Sequence, residues 1–311
     1  MARILALTLN PALDLTVSLD TLQPGAVNRS QGMTTHAAGK GLNVSQVLAD
    51  LGHKVTVSGF LGKANSAPFE QLFHRSGFID AFVRVPGETR SNIKLAEHGG
   101  CVTDLNGPGP EVDAAHQQQL LDQLEQIAVG HEAVVVAGSL PRGVSVEWFS
   151  ALLRRLVAFG LPLVLDTSGA ALRAGLTVTP WLIKPNEEEL AEACGLVPAS
   201  SERLDDAIRE LREEGIEHVL LSRGSQGADW FGPHGVLHAQ PPHVDVVSTV
   251  GAGDSLLAAT LHGLLSGWPA ERTLRLATAV AAQAVTQIGF GIHDRQQLAR
   301  LEAAVAVTSK Q

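Results

Sequence analysis

The sequence contains little cysteine and no tyrosine, and both shortages limit what the protein can be. Its 311 residues include two cysteines, Cys101 and Cys194, which are too few and too far apart for a disulfide framework or a CxxC metal site. Aromatic residues make up 4% of the chain against 45% hydrophobic residues overall, a balance typical of an aliphatic α/β interior. We therefore expect two reduced cysteines that serve as packing residues.

Basic residues and long apolar runs are also scarce. The chain carries 23 lysines and arginines against 32 acidic residues, a net charge of −9, which argues against nucleic acid and anionic membranes as partners. No uninterrupted apolar stretch approaches the roughly twenty residues of a membrane-spanning helix. The first residues, Met1–Leu9, lack the pattern of a signal peptide. These absences predict a cytoplasmic protein that binds neither nucleic acid nor membrane.

What the sequence does contain is a regular alternation of short apolar runs and helical patterns. The predicted strands are Ile4–Leu9, Lys54–Gly59, Asp80–Val85, Ala133–Ala137, Pro162–Asp166, Trp181–Lys184 and His218–Ser222. The predicted helices are Gly41–Asp50, Pro68–Ser76, Ala114–Ala128, Val146–Phe159, Glu187–Cys194, Leu204–Glu214, Asp254–Gly267 and Ala270–Ile288. Five helices are followed by a glycine that can end them in the left-handed conformation, namely Gly52, Gly77, Gly160, Gly195 and Gly215. This alternation predicts an α/β fold with a mostly parallel central sheet and helices on both faces.

Two segments interrupt the alternation, at about residues 12–35 and 88–107. Both show strand-like patterns punctuated by glycine and proline, without a helix. Ser91–His98, Gly99-Gly100 and Cys101–Asn106 together predict a β-hairpin. We expect residues 1–311 to form one α/β domain in which the two insertions build a small sheet over one end of the main sheet. Since ligands of open α/β folds bind at the carboxyl ends of the strands, that small sheet would be a lid.

The segment Ser248–Ser255 carries the strongest chemical signal. Gly251 and Gly253 let backbone N–H groups turn inward, and helical periodicity begins at once, so these groups would lie at a helix N-terminus suited to anionic oxygen. Asp254, which we expect to stay ionised at neutral pH beside that N-terminus, could accept a proton from a hydroxyl while phosphate charge is held nearby. Phosphoryl transfer to an alcohol requires this combination. An ordinary strand-to-helix turn with an acidic first turn explains the same residues.

A second glycine-rich segment, His36–Val44, opens a helix near the N-terminus. It matches neither a Walker A loop nor a complete dinucleotide fingerprint. Exposed backbone at Gly39, together with Lys40 and Asn43, suits the hydroxyls of a polyol, although a plain tight turn is an equal alternative. Asp14 follows the first predicted strand, where a carboxylate could accept hydrogen bonds from two vicinal hydroxyls, or could be a solvated turn residue.

The segment Lys184–Glu189 ends a predicted strand and begins a helix. Asn186 is a natural N-cap with Glu189 at the third helical position, which matches a capping box. The same oxygens could hold water on a hydrated Mg²⁺, with Lys184 near nucleotide phosphates.

Two further features carry weaker signals. Arg90 and Arg29, one on each insertion, could bind a phosphate if both face the cleft, although two such arginines are usually surface charge. In the loop Ser222–Gly227, which lies between two strands, Gly224 and Gly227 could bring backbone against a nucleotide or could simply form a turn.

Taken together, these segments resemble the PfkB (ribokinase-like) family of carbohydrate kinases, from Thr8 to about Arg295. The most family-specific pieces are Gly-Lys-Gly-Leu-Asn-Val at residues 39–44 and Ser-Thr-Val-Gly-Ala-Gly-Asp-Ser at residues 248–255. Others occur in family order, at Thr8–Asp14, Thr103–Gly107, Gly138–Pro141, Lys184–Asn186 and Ser222–Gly227. The segments that favour the branch acting on sugar phosphates are His36–Gly41, Asp245–Ser255 and Leu274–Ala282.

The resemblance implies a ribokinase-like fold and MgATP-dependent phosphorylation of fructose 1-phosphate at its 6-hydroxyl, by a homodimer formed through the lid. Asp254 would be the catalytic base, and the anion hole would be formed by Gly251, Ala252 and Gly253. The sugar would be held by Asp14, Gly39, Lys40, Asn43, Asn92 and Ser139, and its phosphate by Arg29 and Arg90. ATP would be bound by Lys184, Asn186, Ser222, Gly224, Gly227, Thr249, Gly251 and Gly253. Mg²⁺ would be held through water by Glu189 and Asn186.

Several alternatives remain open at this stage. A kinase for tagatose 6-phosphate or fructose 6-phosphate would share the base and the nucleotide site, and differ in where the substrate's phosphate lies. A ribose or nucleoside kinase is disfavoured because a neutral substrate gives Arg29 and Arg90 nothing to bind. A non-catalytic sugar-phosphate-binding regulator would not need Asp254 together with Lys184 and Glu189. A nicotinamide dehydrogenase is the weakest alternative because no complete GxGxxG follows the first strand.

Overall fold

The computed structural model describes residues 1–99, 101–196 and 200–310, and its strands form two sheets. In chain order the strands are β1 (Arg3–Thr8), β2 (Ala12–Leu19), β3 (Gly32–Ala38), β4 (Lys54–Gly62), β5 (Ile79–Val85), β6 (Arg90–Glu97), β7 (Val102–Asn106), β8 (Ala133–Ala137), β9 (Leu163–Asp166), β10 (Leu182–Ile183), β11 (His218–Ser222), β12 (Ala228–Gly232), β13 (Gly235–Gln240) and β14 (Ala306–Lys310). The α-helices are α1 (Lys40–Asp50), α2 (Ala67–Ser76), α3 (Ala114–Ile127), α4 (Val146–Ala158), α5 (Gly169–Leu176), α6 (Glu187–Ala193), α7 (Ser201–Glu213), α8 (Ala252–Leu265), α9 (Ala270–Ala284) and α10 (Arg295–Ala304).

The larger sheet has ten strands in the order β14-β13-β12-β11-β10-β9-β8-β1-β4-β5. The seven strands from β11 to β5 are parallel, and β12, β13 and β14 continue the sheet antiparallel at one edge. The predicted mostly parallel sheet is therefore confirmed. Parallel strands place their carboxyl ends at one edge, so the residues that follow β1, β9 and β10 converge there.

Apolar cores cover both faces of the larger sheet. In β1, Ile4 and Ala6 pack into the core beneath α1, α2, α8, α9 and α10, whereas Leu5 and Leu7 pack into the core beneath α3 to α7. All four side chains are at most 1% exposed. Successive side chains of a strand point to opposite faces, and a strand buried on both faces therefore reads as a continuous apolar run. This explains why the central strands were visible as short hydrophobic runs in the sequence.

The smaller sheet is built from the two insertions, in the order β3-β2-β6-β7. Strands β2 and β6 are parallel, and β3 and β7 pair antiparallel on either side of them. Asp14 of β2 lies opposite Asn92 of β6 and His36 of β3. Gly100, which we placed in the turn of the second hairpin, lies outside the described residues.

The strongly periodic elements match their predictions to within three or four residues, and all five helix-ending glycines have positive φ. The strand expected after Gly227, for which we gave no bounds, is β12. Sequence reasoning did not find β13, β14, α5 or α10, and it ran α9 on to Ile288 although the helix ends at Ala284. Within the described ranges, no helix is both long and apolar enough to cross a membrane. Cys101 and Cys194 are both free, but Cys101 is exposed, so its expected role as a packing residue is wrong.

Candidate active site

Helix α8 begins within the segment that carries the strongest sequence signal. Gly251, the residue before it, has a φ of 83°, and a Cβ there would lie 2.8 Å from two ring carbons of Phe290. Glycine is therefore required at this position. The N–H of Ser255 donates to the carbonyl of Gly251 as the first intrahelical bond. The N–H groups at residues 252–254 have no acceptor within the helix, so the start of α8 can hold anionic oxygen.

Asp254 lies in the first turn of α8 with only 6% of its surface exposed. Nδ2 of Asn43 donates a 2.8 Å hydrogen bond to Oδ2 of this carboxylate, which leaves Oδ1 for another donor. Burial and, after it, the negative charge of Asp166 raise the pKa of Asp254 to about 6. Above this pH the Asp254 carboxylate is mostly ionised, which agrees with the expected ionised form at neutral pH. However, burial outweighs the helix terminus and places the pKa above the ordinary range.

Helix α1 begins against the end of β1 because two glycines let the backbones approach closely. A Cβ at Gly41 would lie 2.4 Å from Oγ1 of Thr8, and one at Gly39 would lie 2.7 Å from Cγ2 of the same residue. This close packing brings Lys40 and Asn43 to the carboxyl edge of the sheet, opposite the start of α8. The predicted turn at residues 39–41 is thus also what positions two polar side chains.

A fully buried carboxylate, Asp166 at the end of β9, joins two lysines of the site. Its Oδ1 lies 2.8 Å from Nζ of Lys40, and its Oδ2 lies 3.3 Å from Nζ of Lys184, which follows β10. Burial opposes the ionisation of Asp166, but the charges of Lys184 and Lys40 overcome it and hold the pKa of this carboxyl below its usual range. Burial likewise opposes the charge on Lys40, yet the Asp166 carboxylate raises the pKa of that lysine above its ordinary value.

Helix α6 begins with the predicted capping box. The backbone N–H of Glu189 donates to Oδ1 of Asn186 at 2.7 Å, and the N–H of Asn186 donates to Oε2 of Glu189 at 2.9 Å. The other carboxylate oxygen of Glu189, Oε1, lies 3.9 Å from Nζ of Lys40. The cap therefore turns one carboxylate of α6 toward the lysines.

These oxygens fit a hydrated Mg²⁺. In the described ranges no group of three or more histidine, cysteine or acidic side chains is arranged to hold a metal directly. Mg²⁺ commonly keeps several of its waters and is held by one or two carboxylates together with substrate phosphates. Oε1 of Glu189, which the capping box leaves without a backbone donor, suits contact with such water.

The small sheet contributes a second group of polar side chains. Nδ2 of Asn92 donates a 3.0 Å hydrogen bond to Oδ1 of Asp14, and Nζ of Lys94 lies 3.7 Å from the other carboxylate oxygen. The guanidinium of Arg90 donates to the backbone carbonyls of Asn10 and Pro11, which holds it at the connection between β1 of the larger sheet and β2 of the smaller one. Alternation along β2 and β6 places Asp14, Asn92 and Lys94 on the face toward the main sheet.

Except for the buried Asp166, the charged and amide side chains of this site line one cavity of about 450 Å³, which we call the central cavity. Thirteen of the residues identified from the sequence line it: Asp14, Gly39, Lys40, Asn43, Arg90, Asn92, Lys184, Asn186, Glu189, Ser222, Gly251, Gly253 and Asp254. Carboxylates, ammonium groups and amides thus surround a single space at the start of α8. Such a site can hold a polyhydroxylated anion and move a proton beside it.

Six other candidates do not line the central cavity. Arg29 is exposed beyond the paired residues Ser18 and Gly32, at the far end of the small sheet, so the hairpin register separates it from Arg90. Ser139 is exposed and accepts a 3.1 Å hydrogen bond from Nδ2 of Asn10. The remaining four are Ala252 at the first position of α8, the exposed Gly224 and Thr249, and Gly227, where a Cβ would lie 1.9 Å from the carbonyl oxygen of Ala239.

Sequence reasoning missed Asp166, and also Lys94, Asp104 and Asn106 of the small sheet, which line the cavity. The signal for Asp166 was its position directly after the apolar run Leu163–Leu165, at the carboxyl end of a predicted strand. The three residues of the small sheet alternate with apolar ones, but the facing strand decides which side of the sheet a residue occupies.

Apolar side chains lie exposed in the segments before α8 and after α9. Val246, Val247 and Val250 are 62%, 58% and 38% exposed, and Ile288 is 56% exposed. The N–H of Val247 donates to the carbonyl of Val285 at 2.7 Å, which ties the segment before α8 to the one after α9. This exposed apolar edge suits a flat, weakly polar group.

The fold and the cavity together define a sugar kinase of the ribokinase-like type. The sequence profile of the pfkB family carbohydrate kinases matches residues 7–296, and the chain belongs to this family. It is 46% identical over 303 residues to 1-phosphofructokinase of Escherichia coli strain K12, with 97% of each chain covered. It is 43% identical over 307 residues to 1-phosphofructokinase of Vibrio cholerae, with 99% of this chain and 97% of the relative covered.

Solved structures agree with this assignment. A mutant of phosphofructokinase-2 from Escherichia coli superimposes with a TM-score of 0.90 at 28% identity, covering 98% of this chain and 99% of that one. The same enzyme in complex with fructose 6-phosphate superimposes with a TM-score of 0.87 at 26% identity, with the same coverage.

Proposed function

We propose that the protein transfers the γ-phosphoryl group of ATP to the 6-hydroxyl of fructose 1-phosphate, giving fructose 1,6-bisphosphate and ADP. The observation that carries this proposal is the placement of the Asp254 carboxylate in one cavity with the start of α8 and two lysines. Relatives at 43–46% identity named 1-phosphofructokinase support the choice of sugar phosphate.

Asp254 has the position and the pKa of a general base. Asn43 fixes one carboxylate oxygen, so the other can accept the proton of the 6-hydroxyl as the sugar oxygen bonds to the γ-phosphorus. A pKa raised to about 6 brings this base closer to neutral pH than an ordinary aspartate while leaving it ionised at pH 7 to 8. The bond from the γ-phosphorus to the β–γ bridging oxygen breaks, and ADP leaves with that oxygen.

The negative charge on the transferring group is met from two sides. Backbone N–H groups at the start of α8 would bind the γ-phosphoryl oxygens, and the ammonium groups of Lys40 and Lys184 lie in the same cavity. Glu189 and Asn186 would hold Mg²⁺ through water, and the bound ion would neutralise charge on the ATP phosphates. Positioning and charge stabilisation supply most of the rate in this reaction class.

The two sides of the central cavity suit the two substrates. Asp14, Asn92 and the lid arginine Arg90 would hold the sugar phosphate, with Asn43 and Lys40 at its reacting end. On the other side ATP would lie along Lys184, Asn186 and Ser222, near Gly224, Gly227 and Thr249. Its base would cover the exposed apolar edge at Val246, Val247 and Ile288.

Steady-state kinetics with three sugar phosphates tests the choice of substrate. We expect kcat/KM for fructose 1-phosphate to exceed that for fructose 6-phosphate and tagatose 6-phosphate by at least about tenfold, because a single misplaced charged contact costs that much. A preference for fructose 6-phosphate would favour the second candidate, a 6-phosphofructokinase, which the fold of phosphofructokinase-2 with bound fructose 6-phosphate supports. Binding of a sugar phosphate without any ADP formation would instead indicate a non-catalytic regulator.

The small sheet would act as a lid and as a dimer contact. Its face turned away from the central cavity carries apolar residues in register on neighbouring strands: Leu15, Val17, Met33, Ile93, Leu95 and Leu105. Met33 and Leu105 are 65% and 52% exposed. An apolar sheet face of this kind is typical of an interface, and we propose that a second copy of the chain covers it. A solved tetrameric form of phosphofructokinase-2, at 27% identity, leaves larger assemblies as an outcome of the test.

Charge placed on this face should break the dimer. We expect the double substitution Met33→Lys and Leu105→Lys to give a monomer of 32.7 kDa by sedimentation velocity, where the unmodified protein sediments at twice that mass or more. Val157→Lys, at a 39% exposed valine on α4, is the matched control and should leave the mass unchanged. A monomeric unmodified protein at micromolar concentration would contradict the dimer proposal.

A further inference from the structure

Asp166 is the most deeply buried charged group near the reaction site, yet it does not line the central cavity. Its side chain is 0% exposed and contacts two lysines, each through a different carboxylate oxygen. Lys184 is only 5% exposed, so both ions of this pair lie away from water. Removing one partner from such a cluster would leave a buried charge uncompensated. The three charged groups therefore keep their relative positions only while all of them are present.

Resting on the proposed function, we propose that Asp166 is a positioning residue that holds the ammonium groups of Lys40 and Lys184 side by side against the transferring phosphoryl group. Lys184 lies directly beside the anion hole, since a Cβ at Gly253 would be 3.2 Å from its Nζ. Lys40 is carried by a different element, as the first residue of α1. Two ammonium groups repel at this range, and the carboxylate between them offsets that repulsion and sets their separation.

The same carboxylate acts on the base. The groups that face Asp254 are Asn43 and Lys40 from α1, Lys184 after β10, and Asp166 at the end of β9. Among the charged ones Asp166 alone is negative, and its field opposes ionisation of Asp254 while the lysines favour it. Asp166 thus connects the position of the lysines with the proton affinity of the base.

Asp166→Asn tests the proposal because it keeps the shape and removes the charge. We expect kcat to fall at least about tenfold, since the two lysines lose the geometry that the transition state requires. Affinity for the nonhydrolysable analogue MgAMP-PNP, measured by calorimetry, should hold or rise, because a negative charge has left a site that binds phosphates. The acid limb of kcat/KM should move down by roughly one pH unit as Asp254 loses its negative neighbour.

Asp229→Asn is the matched control. Asp229 is also 0% exposed, and its carboxylate is held by Arg223 at 2.6 Å, Lys310 at 2.7 Å and His238 at 2.7 Å, none of which lines the central cavity. We expect it to lower the melting temperature while leaving the acid limb unshifted. Two results for a folded Asp166→Asn variant would overturn the proposal. One is a kcat that stays within threefold of the original. The other is a loss of both kcat and MgAMP-PNP affinity without a shift in the acid limb of kcat/KM.

Asp166→Glu decides the question if Asp166→Asn does not fold. It retains the charge but displaces it by one methylene, so kcat should fall while the acid limb of kcat/KM stays near its original position. An unchanged kcat overturns the proposal.

Failure of the proposed function is recognised separately, by measurements on the unmodified protein. Analogue binding without turnover of any of the three sugar phosphates rejects the substrate assignment, whereas no analogue binding rejects the nucleotide site itself.

Discussion

Replacing Asp254 with asparagine should lower kcat by about a hundredfold or more, while the affinity for ATP persists. Loss of a positioned general base typically costs this much. The hydrogen bond from Asn43 can no longer meet a charged acceptor, but the backbone of α8 and both lysines remain in place to bind phosphate. A coupled assay for ADP gives kcat, and calorimetry with MgAMP-PNP gives nucleotide affinity.

Asp104→Asn is the matched control for this substitution. Asp104 lines the same cavity and also loses one negative charge, but it lies on β7 of the small sheet rather than in the first turn of α8. We expect its kcat to stay within a few-fold of the original. If Asp254→Asn retained near-normal turnover, Asp254 would have no part in the chemistry.

The pH dependence of activity should report the same carboxylate. Because the pKa of Asp254 is raised to about 6, the base is protonated and inactive below this pH and ionised above it. We therefore expect kcat/KM to fall tenfold for each pH unit below about pH 6. The residual kcat/KM of the Asp254→Asn variant should not show this fall.

Acid should also destabilise the fold, through histidines buried in their neutral form. His53 is 8% exposed; its Nδ1 accepts the N–H of Ala2, and its Nε2 lies 2.8 Å from Nδ1 of His262. Burial, and after it the neighbouring His262, lower the pKa of His53 to about 4. In the unfolded chain the imidazole titrates near 6.5, so below that pH the unfolded state binds a proton that the folded state does not.

The free energy of unfolding should therefore be independent of this group above about pH 6.5, fall between pH 6.5 and 4, and level off below. For His53 the loss amounts to about 3 kcal/mol. His218, which is 4% exposed and whose pKa burial also lowers to about 4, adds a second contribution over the same range. Urea titrations at pH 8 and pH 5 measure the difference, with pH 8 as the reference at which both imidazoles are neutral in either state.

His53→Gln separates the two contributions. This substitution should weaken the protein at pH 8, because it removes hydrogen bonds, and should reduce the loss of stability between pH 8 and pH 5. Part of the loss should remain, because burial also lowers the pKa values of His131, His218 and His234. An undiminished loss in this variant would mean that His53 is not the titrating group.

Local sequence patterns were sufficient for most of the fold. The apolar runs of β1, β4 and β8, the capping box at Asn186 and the helix-ending glycines each depend on residues within a few positions of one another, and all are found where they were predicted. The missed elements lack such signals. Strand β14 is mostly exposed, and α5 is eight residues long and begins with glycine, so only their pairing and packing partners stabilise them.

The sequence by itself determined the class of fold, the start of α8 after Gly251 and the aspartate in its first turn, because backbone conformation there follows from neighbouring residues. Only the tertiary structure decided which distant groups meet that aspartate. Asn43 lies 211 residues from Asp254 along the chain, and Asp166 lies 126 residues from Lys40. Long-range packing also raised the pKa of Asp254 through burial, and the hairpin register carried Arg29 away from the cavity. Contacts of this kind depend on how strands and helices assemble, which no local pattern specifies.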